Sequence, residues 1–204
     1  NAQWLKAGLE SEETKKFAVS VLNHMREKLI GYQMEYGNLY GLEATPAESA
    51  TFRFARLDRE RFSGIRTAGH EGDTPYYTNS TKLPADYDGT LQGALINQDS
   101  LQPLYTTGTV FHVYMERELE DWKKARDLLS SMITEHHIPC FTLSPVYTIC
   151  QTCGYLPGRQ ERCPKCNGAA DVYSRIAGYY RPVHDWNDGK AQEFRNRIMF
   201  RIGE

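Results

Sequence analysis

The chain has 204 residues, a net charge of −2, and 40% hydrophobic against 25% charged residues. This composition is typical of a globular protein and excludes wholesale disorder. The near-neutral charge provides no general attraction for nucleic acid, and no run of about 18 apolar residues predicts a membrane span, so we expect neither partner. The beginning, without an initiator methionine or a signal-peptide pattern, indicates a piece of a longer polypeptide.

The first third of the chain is predicted to be mainly helical. Apolar residues recur at helical spacing over residues 12–36, and Gly37 is a plausible end for that helix. Residues 39–43 are predicted to form a short buried strand. A second helix is predicted over residues 47–59, because Pro46 suits the first turn of a helix.

The middle of the chain indicates a long loop followed by a βαβ unit. Residues 62–90 are rich in Gly, Pro, Asp, Asn and Thr and are predicted to be a loop. The residue pattern predicts a strand over residues 109–115, an amphipathic helix over residues 116–136 and a second strand over residues 140–147. Strand, helix and strand in this order favour an α/β fold.

Four of the five cysteines form two C-x-x-C motifs, Cys150 with Cys153 and Cys163 with Cys166, while Cys140 stands apart. Two such turns aim four thiolates at one point, and thiolates favour zinc or iron–sulfur over harder metals. We predict structural zinc, because a closed four-thiolate site leaves no position for water or substrate. A pair of redox C-x-x-C motifs is the alternative.

The region from residue 150 to residue 190 resembles the C-terminal end of the anaerobic (class III) ribonucleoside-triphosphate reductases. The resemblance is carried by the four cysteines followed by Arg175-Ile-Ala-Gly178-Tyr, which matches the family's glycine segment. Upstream, this chain also resembles the family over three segments: Thr45-Pro-Ala-Glu-Ser, Tyr76-Tyr-Thr-Asn-Ser with Leu83-Pro, and Thr107-Gly-Thr-Val-Phe-His.

The resemblance implies that Gly178 holds a backbone radical, formed by an activating enzyme that uses S-adenosylmethionine and an iron–sulfur cluster. A glycine suits this chemistry because a planar α-carbon, without a Cβ, delocalises the electron into the adjacent amides. The radical would pass to a cysteine that attacks the ribose 3′ position, so that ribonucleoside triphosphates become 2′-deoxyribonucleoside triphosphates for DNA synthesis. The resemblance also implies a homodimer in anoxic cytoplasm.

The resemblance further implies a division into three parts. Residues 1–147 would be the C-terminal portion of a ten-stranded α/β barrel, residues 148–170 a small four-cysteine zinc ribbon, and residues 171–204 a glycyl radical loop with a C-terminal helix, predicted over residues 189–200. The thiyl cysteine and the effector site would lie upstream of this chain, in the missing N-terminal part of the enzyme. Cys140 is expected to be a small buried apolar residue.

Several polar residues are candidates for binding substrate: Thr45, Glu48, Ser49, Asn79 and Ser80. The first three lie near a predicted helix start, where backbone N–H groups could bind a substrate phosphate. The alternative is that this segment is an ordinary capped start of a helix. His112 is expected to be a core histidine, and Tyr179 and Tyr180 are expected to pack the glycine loop in a dry pocket.

Two other functions are open from the sequence. The two C-x-x-C motifs, or knuckles, can be a zinc-ribbon module that binds nucleic acid or protein. Between the cysteines, however, the basic residues exceed the acidic ones only mildly: Arg159, Arg162 and Lys165 against Glu161. A stand-alone part that replaces a damaged glycine domain is the other alternative. The electron donor, formate or a thiol protein, is not indicated.

Overall fold

The computed structural model describes residues 5–69 and 71–202; the ends of the predicted first and last parts, residues 1–4 and 203–204, lie outside the described residues. The helices are α1 (Glu12–Tyr36), α2 (Ser49–Arg61), α3 (Leu91–Asp99), α4 (Trp122–Glu135) and α5 (Asp188–Asn196). The strands are β1 (Phe111–Met115), β2 (Phe141–Pro145), β3 (Tyr147–Cys150), β4 (Gly154–Pro157), β5 (Ala170–Arg175) and β6 (Tyr180–Pro182). Short 3-10 helices cover Gln102–Leu104 and Val183–Asp185.

Helix α1 confirms the first prediction at both ends. The Ser11 side chain accepts a hydrogen bond from the Thr14 N–H, and Gly37 ends the helix in the left-handed region with φ of 71°. The strand predicted over residues 39–43 is wrong, since Glu43 alone makes a parallel bridge, to Gly108.

Helix α2 begins two residues later than predicted, at Ser49. Pro46 therefore lies outside the helix, and Glu48 precedes the first turn without a capping hydrogen bond from its side chain.

The predicted βαβ unit is confirmed. Strands β1 and β2 are parallel, with Phe111 opposite Phe141, and α4 connects them. The helix begins at Trp122 rather than at residue 116, because Asp121 caps it by accepting a hydrogen bond from the Lys123 N–H at 2.8 Å. The fold class is therefore α/β.

A four-stranded antiparallel sheet in the order β4-β3-β5-β6 follows the parallel pair. The strand predicted over residues 140–147 is in fact two strands, because β2 ends at Pro145 and β3 begins at Tyr147. As a result, the first C-x-x-C motif begins at the last residue of β3, and the turn that contains Gly178 connects β5 and β6 in the same sheet.

Helix α3 was not predicted from the sequence. The Thr90 hydroxyl caps the helix by accepting a hydrogen bond from the Gly93 N–H at 3.0 Å. The helix buries polar as well as apolar residues. Asn97 is buried because its side chain donates to the Leu9 carbonyl at 2.8 Å. The loop predicted over residues 62–90 is confirmed for residues 62–69 and 71–90, in which an isolated bridge between Ala68 and Tyr76 is the only strand-like pairing.

Helix α5 packs against α2 and carries a buried ionic network. Gly189 permits the approach, since a Cβ there would lie 2.5 Å from the Phe52 Cβ. Glu193 pairs with Lys190 at 2.6 Å and with Arg197 at 3.1 Å, and both cationic side chains are only 2% exposed. Burial alone would raise the pKa of Glu193, but the charges of Lys190 and Arg197 outweigh it and lower that pKa.

We expect Glu193→Ala to lower the free energy of unfolding by about 3–5 kcal/mol, because it leaves two buried cations without their counter-charge. Glu120→Ala is the matched control, since Glu120 pairs with Arg117 only at an exposed site, 4.0 Å away, and should cost less than about 1 kcal/mol. Urea unfolding measures both.

The pH dependence provides a second test of the same network. The Glu193 contribution is fully present above the unfolded-state pKa and is lost as the pH falls through the lower folded-state pKa. The wild type should therefore lose more stability than Glu193→Ala on acidification, and equal losses would contradict a stabilising Glu193 carboxylate.

Candidate active site and metal centre

The four cysteines of the two C-x-x-C motifs converge on one point. Their sulfur atoms all lie within 4.8 Å of one another, and the Cys150 and Cys166 sulfurs are 3.6 Å apart. Cys150 ends β3, and the chain reverses through Gly154, whose φ of 76° favours glycine, into β4. In the second knuckle the Asn167 N–H donates to the Cys163 carbonyl at 2.8 Å.

This arrangement fits a tetrahedral metal site. Zinc with Zn–S distances of about 2.3 Å holds its sulfurs about 3.8 Å apart, close to the separations observed here. Burial raises the pKa of the Cys163 thiol, but N–H groups of Cys166 and Lys165 outweigh it and lower that pKa to about 6. Because all four sulfurs share one centre, the geometry favours one bound ion over two independent redox pairs.

We expect the purified protein to hold one zinc ion per chain, and Cys163→Ser to lose it, because three thiolates leave the tetrahedron incomplete. Metal content by atomic spectroscopy measures this. Cys140→Ser is the matched control and should retain the ion; loss in both variants, or in neither, would contradict a four-cysteine site.

Cys140 differs from its expectation. It was expected to be buried among apolar residues, but it is exposed and does not belong to the sulfur cluster. The reason is its place at the junction of a loop with the edge of β2, where its backbone carbonyl pairs with the Phe111 N–H at 2.9 Å.

Gly178 lies in the tight turn between β5 and β6. The Ile176 N–H donates to the Tyr179 carbonyl at 3.1 Å, which closes the turn. Arg175 donates from Nη1 to the Gly178 carbonyl at 2.7 Å and from Nε to the Ser144 hydroxyl at 2.9 Å. One guanidinium therefore connects the turn to β2.

Nothing in this structure requires a glycine at position 178. Gly178 is exposed, its φ lies outside the left-handed region, and a Cβ built there would meet no atom within 4 Å. An alanine would fit without strain among the described residues, so the fold alone gives no reason for the missing side chain.

The two tyrosines after Gly178 have different surroundings. Tyr179 is 51% exposed, so the expectation of a dry pocket is wrong for it; its hydroxyl donates to Glu48 Oε2 at 3.1 Å. Tyr180 is half-buried, and its hydroxyl donates to the Pro145 carbonyl at 3.0 Å.

Two of the five candidate substrate-binding residues are held next to the glycine turn. Glu48 accepts from Tyr179 and lies 3.8 Å from Arg181, on β6. Asn79 fixes the same segment from the other side, by accepting from the Ala47 N–H at 3.0 Å and donating to the Ala47 carbonyl at 3.1 Å. The structure thus brings the Thr45–Ser49 segment, the Asn79 loop and the glycine turn together.

The other three candidates are not brought into this network. Thr45, Ser49 and Ser80 are exposed, and their side chains make no hydrogen bond within residues 5–69 and 71–202. Their hydroxyl groups are accessible at the surface of the same region.

A cavity of about 100 Å³ lies beneath the turn, lined on one side by Ile176 and Ala177. Its polar lining includes Asn79 and His112, which the sequence analysis singled out, and also Lys82, Lys190, Glu193 and Arg197, which it missed. Lys190 and Glu193 on α5 and Arg197 directly after it follow one another at intervals of three and four residues, and this spacing was a usable signal. His112 is a core histidine, as expected: it is buried, and its Nδ1 lies 2.8 Å from the Thr142 hydroxyl.

The family profile described as anaerobic ribonucleoside-triphosphate reductase matches residues 2–200. The chain belongs to the anaerobic ribonucleoside-triphosphate reductase family. Curated members include the Haemophilus influenzae reductase, 24% identical over 200 residues that cover 93% of this chain and 28% of the relative. The phage T4 reductase is 25% identical over 87% of this chain and 30% of its own length.

Solved anaerobic ribonucleotide reductases share the fold. One superposes with a TM-score of 0.74 at 22% identity over 93% of this chain and 29% of its own. The Thermotoga maritima enzyme, solved with dATP bound in the specificity site, gives a TM-score of 0.68 at 23% identity over 87% of this chain and 28% of its own.

The chain spans less than a third of the length of the reductases that it matches. In the part of the chain that the structure describes, no helix is long and apolar enough to cross a membrane.

Proposed function

We propose that this chain is the radical-bearing C-terminal region of an anaerobic ribonucleoside-triphosphate reductase, and that Gly178 is the radical residue. The substrate would be a ribonucleoside triphosphate and the product its 2′-deoxy form, for DNA synthesis. The thiyl cysteine would come from the missing N-terminal part of the enzyme. Activation would require a partner with S-adenosylmethionine and an iron–sulfur cluster, in anoxic cytoplasm.

The observation that carries the proposal is a glycine that the fold does not need. Gly178 stands in the family's motif, yet neither its φ nor its surroundings exclude a Cβ. A chemical reason for glycine accounts for this, because a radical at Cα needs a planar centre in conjugation with both adjacent amides. Arg175, which donates to the Gly178 carbonyl, would hold one of these amides in place.

The proposed reaction consists of two hydrogen-atom transfers at the Gly178 Cα, one away from this carbon and one back to it. The activating enzyme would remove one hydrogen atom from the Gly178 Cα. That carbon would then take a hydrogen atom from the cysteine S–H, which leaves the sulfur to act on the ribose. The task of this chain is to hold Gly178 at a fixed position, and the Glu48 contacts to Tyr179 and Arg181 would tie the turn to the substrate-binding segment.

A zinc ion in the four-cysteine site would be structural. The four cysteines would use all of its tetrahedral positions, so the ion would supply no reactive position and would instead fix the knuckles to the sheet. Strand β3 ends at Cys150 and pairs with β5, which leads to the glycine turn. This supports the order of parts that we propose: barrel portion, metal knuckles, glycyl radical loop.

A nucleic-acid module is not supported by the contacts of the basic residues. Arg159 lies over the Phe194 ring and pairs with Glu161 at 3.7 Å, while Arg162 donates to the Asn167 carbonyl at 3.3 Å. Of the three basic residues considered, only Lys165 makes no such contact. A free basic stripe is what nucleic-acid binding requires.

We expect Gly178→Ala to abolish the glycine-type doublet in electron paramagnetic resonance after anaerobic activation, with no loss of folding or metal. Alanine fits the turn, so an unchanged melting temperature is expected. Gly31→Ala is the matched control, because Gly31 is also exposed, with no atom within 4 Å of a built Cβ.

A doublet that survives in Gly178→Ala would contradict the site assignment. Oxygen provides a second measurement on the activated wild type, since a carbon radical in the backbone reacts with oxygen and the chain breaks there. Mass spectrometry should locate the break at Gly178, and a break elsewhere would also contradict the proposal.

A further inference from the structure

Arg175 makes a hydrogen bond to a peptide group that belongs to the proposed radical residue. Its Nη1 donates to the Gly178 carbonyl at 2.7 Å, a short distance that is typical of a hydrogen bond from a charged donor. The oxygen of this carbonyl is only two covalent bonds away from the Gly178 Cα. Arg175 therefore contacts the group into which an unpaired electron at Cα would delocalise.

Two further contacts fix the guanidinium of Arg175 in this position. Its Nε donates to the hydroxyl of Ser144, a fully buried residue, at 2.9 Å. Its central carbon lies 4.8 Å from the centre of the Tyr180 ring, within the range of a cation–π contact. Because a guanidinium is planar and rigid, the contact of Nε with Ser144 also determines the direction in which Nη1 donates.

The positive charge of Arg175 is not balanced by a carboxylate. In the part of the chain that the structure describes, Arg175 forms no ion pair, whereas Arg181 on the neighbouring strand pairs with Glu48. The groups that accept hydrogen bonds from the Arg175 side chain, the Ser144 hydroxyl and the Gly178 carbonyl, are both neutral. The carbonyl therefore faces a cation whose field no neighbouring anion cancels.

A radical at the Gly178 Cα would increase the negative charge on this carbonyl oxygen. The electron delocalises because the amide nitrogen donates electron density and the carbonyl withdraws it. A fixed cation at the oxygen then stabilises the radical more than it stabilises the ordinary glycine, as preorganised donors do wherever negative charge develops. Arg175 itself gives up neither a proton nor an electron.

We propose that Arg175 is a positioning residue that stabilises the radical state of Gly178 through the Gly178 carbonyl, and that Ser144 orients Arg175 for this role. The inference rests on the proposed function, since it requires a radical at Gly178. The alternative is that Arg175 only closes the turn. The hydrogen bond from the Ile176 N–H to the Tyr179 carbonyl already does so, which favours the electronic role.

Electron paramagnetic resonance of the full-length enzyme after anaerobic activation tests the proposal. In Arg175→Gln the splitting of the glycine-type doublet should increase, because it measures the spin density on Cα and less density leaves Cα without the cation. The radical should also be lost about tenfold faster to added β-mercaptoethanol. In that reaction the thiol S–H bond breaks, its hydrogen atom passes to Cα, and a thiyl radical remains on the small thiol.

Arg59→Gln is the matched control. Arg59 makes the same two kinds of contact, because its Nε donates to the Thr67 hydroxyl at 2.9 Å and its Nη1 to the Asp73 carbonyl at 3.3 Å. Neither acceptor belongs to the glycine turn, so the splitting and the rate of loss should equal those of the wild type.

Ser144→Ala is a second variant, which leaves the charge of Arg175 in place but removes the contact that orients it. Both readouts should change in the same direction as in Arg175→Gln and by a smaller amount. This variant provides the test if Arg175→Gln fails to fold or accumulates too little radical for a spectrum. An unchanged doublet in Ser144→Ala would overturn the role of Ser144, and an unchanged doublet in both variants would overturn the whole proposal.

The carbon NMR shift of the Gly178 carbonyl measures the hydrogen bond without a radical. In the protein before activation this shift should move in Arg175→Gln and stay constant in Arg59→Gln; an unmoved shift would contradict the contact. A moved shift with an unchanged doublet would overturn the inference and leave the proposed function intact. A wild-type enzyme that shows no doublet at all would overturn both.

Discussion

The pairing of β3 with β5 is the constraint on which the rest of the site depends. Cys150 lies opposite Ala170 at one end of this pair, and Tyr147 lies opposite Tyr173 nearer the glycine turn. The sulfur cluster therefore fixes one end of a sheet whose other end presents Gly178. Four cysteines this close are stable as thiolates only with a cation among them, so metal binding and the order of the sheet should be coupled.

Long-range contacts then position the turn against the rest of the chain. Glu48 is 131 residues from Tyr179 in the sequence, yet the two side chains are hydrogen-bonded. Arg175 connects the turn to β2 through Ser144. The glycine turn is thus held by the sheet below it, by β2 on one side and by the segment before α2 on the other. This arrangement suits a residue whose position matters more than its side chain.

Sequence patterns predicted the elements that local chemistry decides. Helix α1 has its period and both caps in the sequence, and the C-x-x-C spacing brings the sulfurs together within one short stretch. Helix α3 was missed because its polar Asn97 is buried by a contact with Leu9, which no local pattern shows. The start of α4 was placed too early because the apolar period extends beyond the Asp121 cap.

The functional site shows the same contrast between residues that a local motif reveals and residues that only the tertiary fold brings together. Gly178 and the cysteines could be predicted from the sequence because each belongs to a compact motif. The cavity was not found, because Lys82, His112 and α5 come from three distant segments whose proximity depends on the tertiary fold. Glu48 and Asn79 were suggested by the resemblance, but their hydrogen bonds to Tyr179 and Ala47 required the structure.

Hydrogen–deuterium exchange with and without the metal tests the central claim most directly. If the thiolate cluster holds the sheet, removal of the metal should accelerate exchange through β5 and the glycine turn as well as at the knuckles. The parallel pair of β1 and β2 should change little, since its backbone bonds do not pass through the cluster. Unchanged protection of β5 and the turn in the metal-free protein would contradict the account.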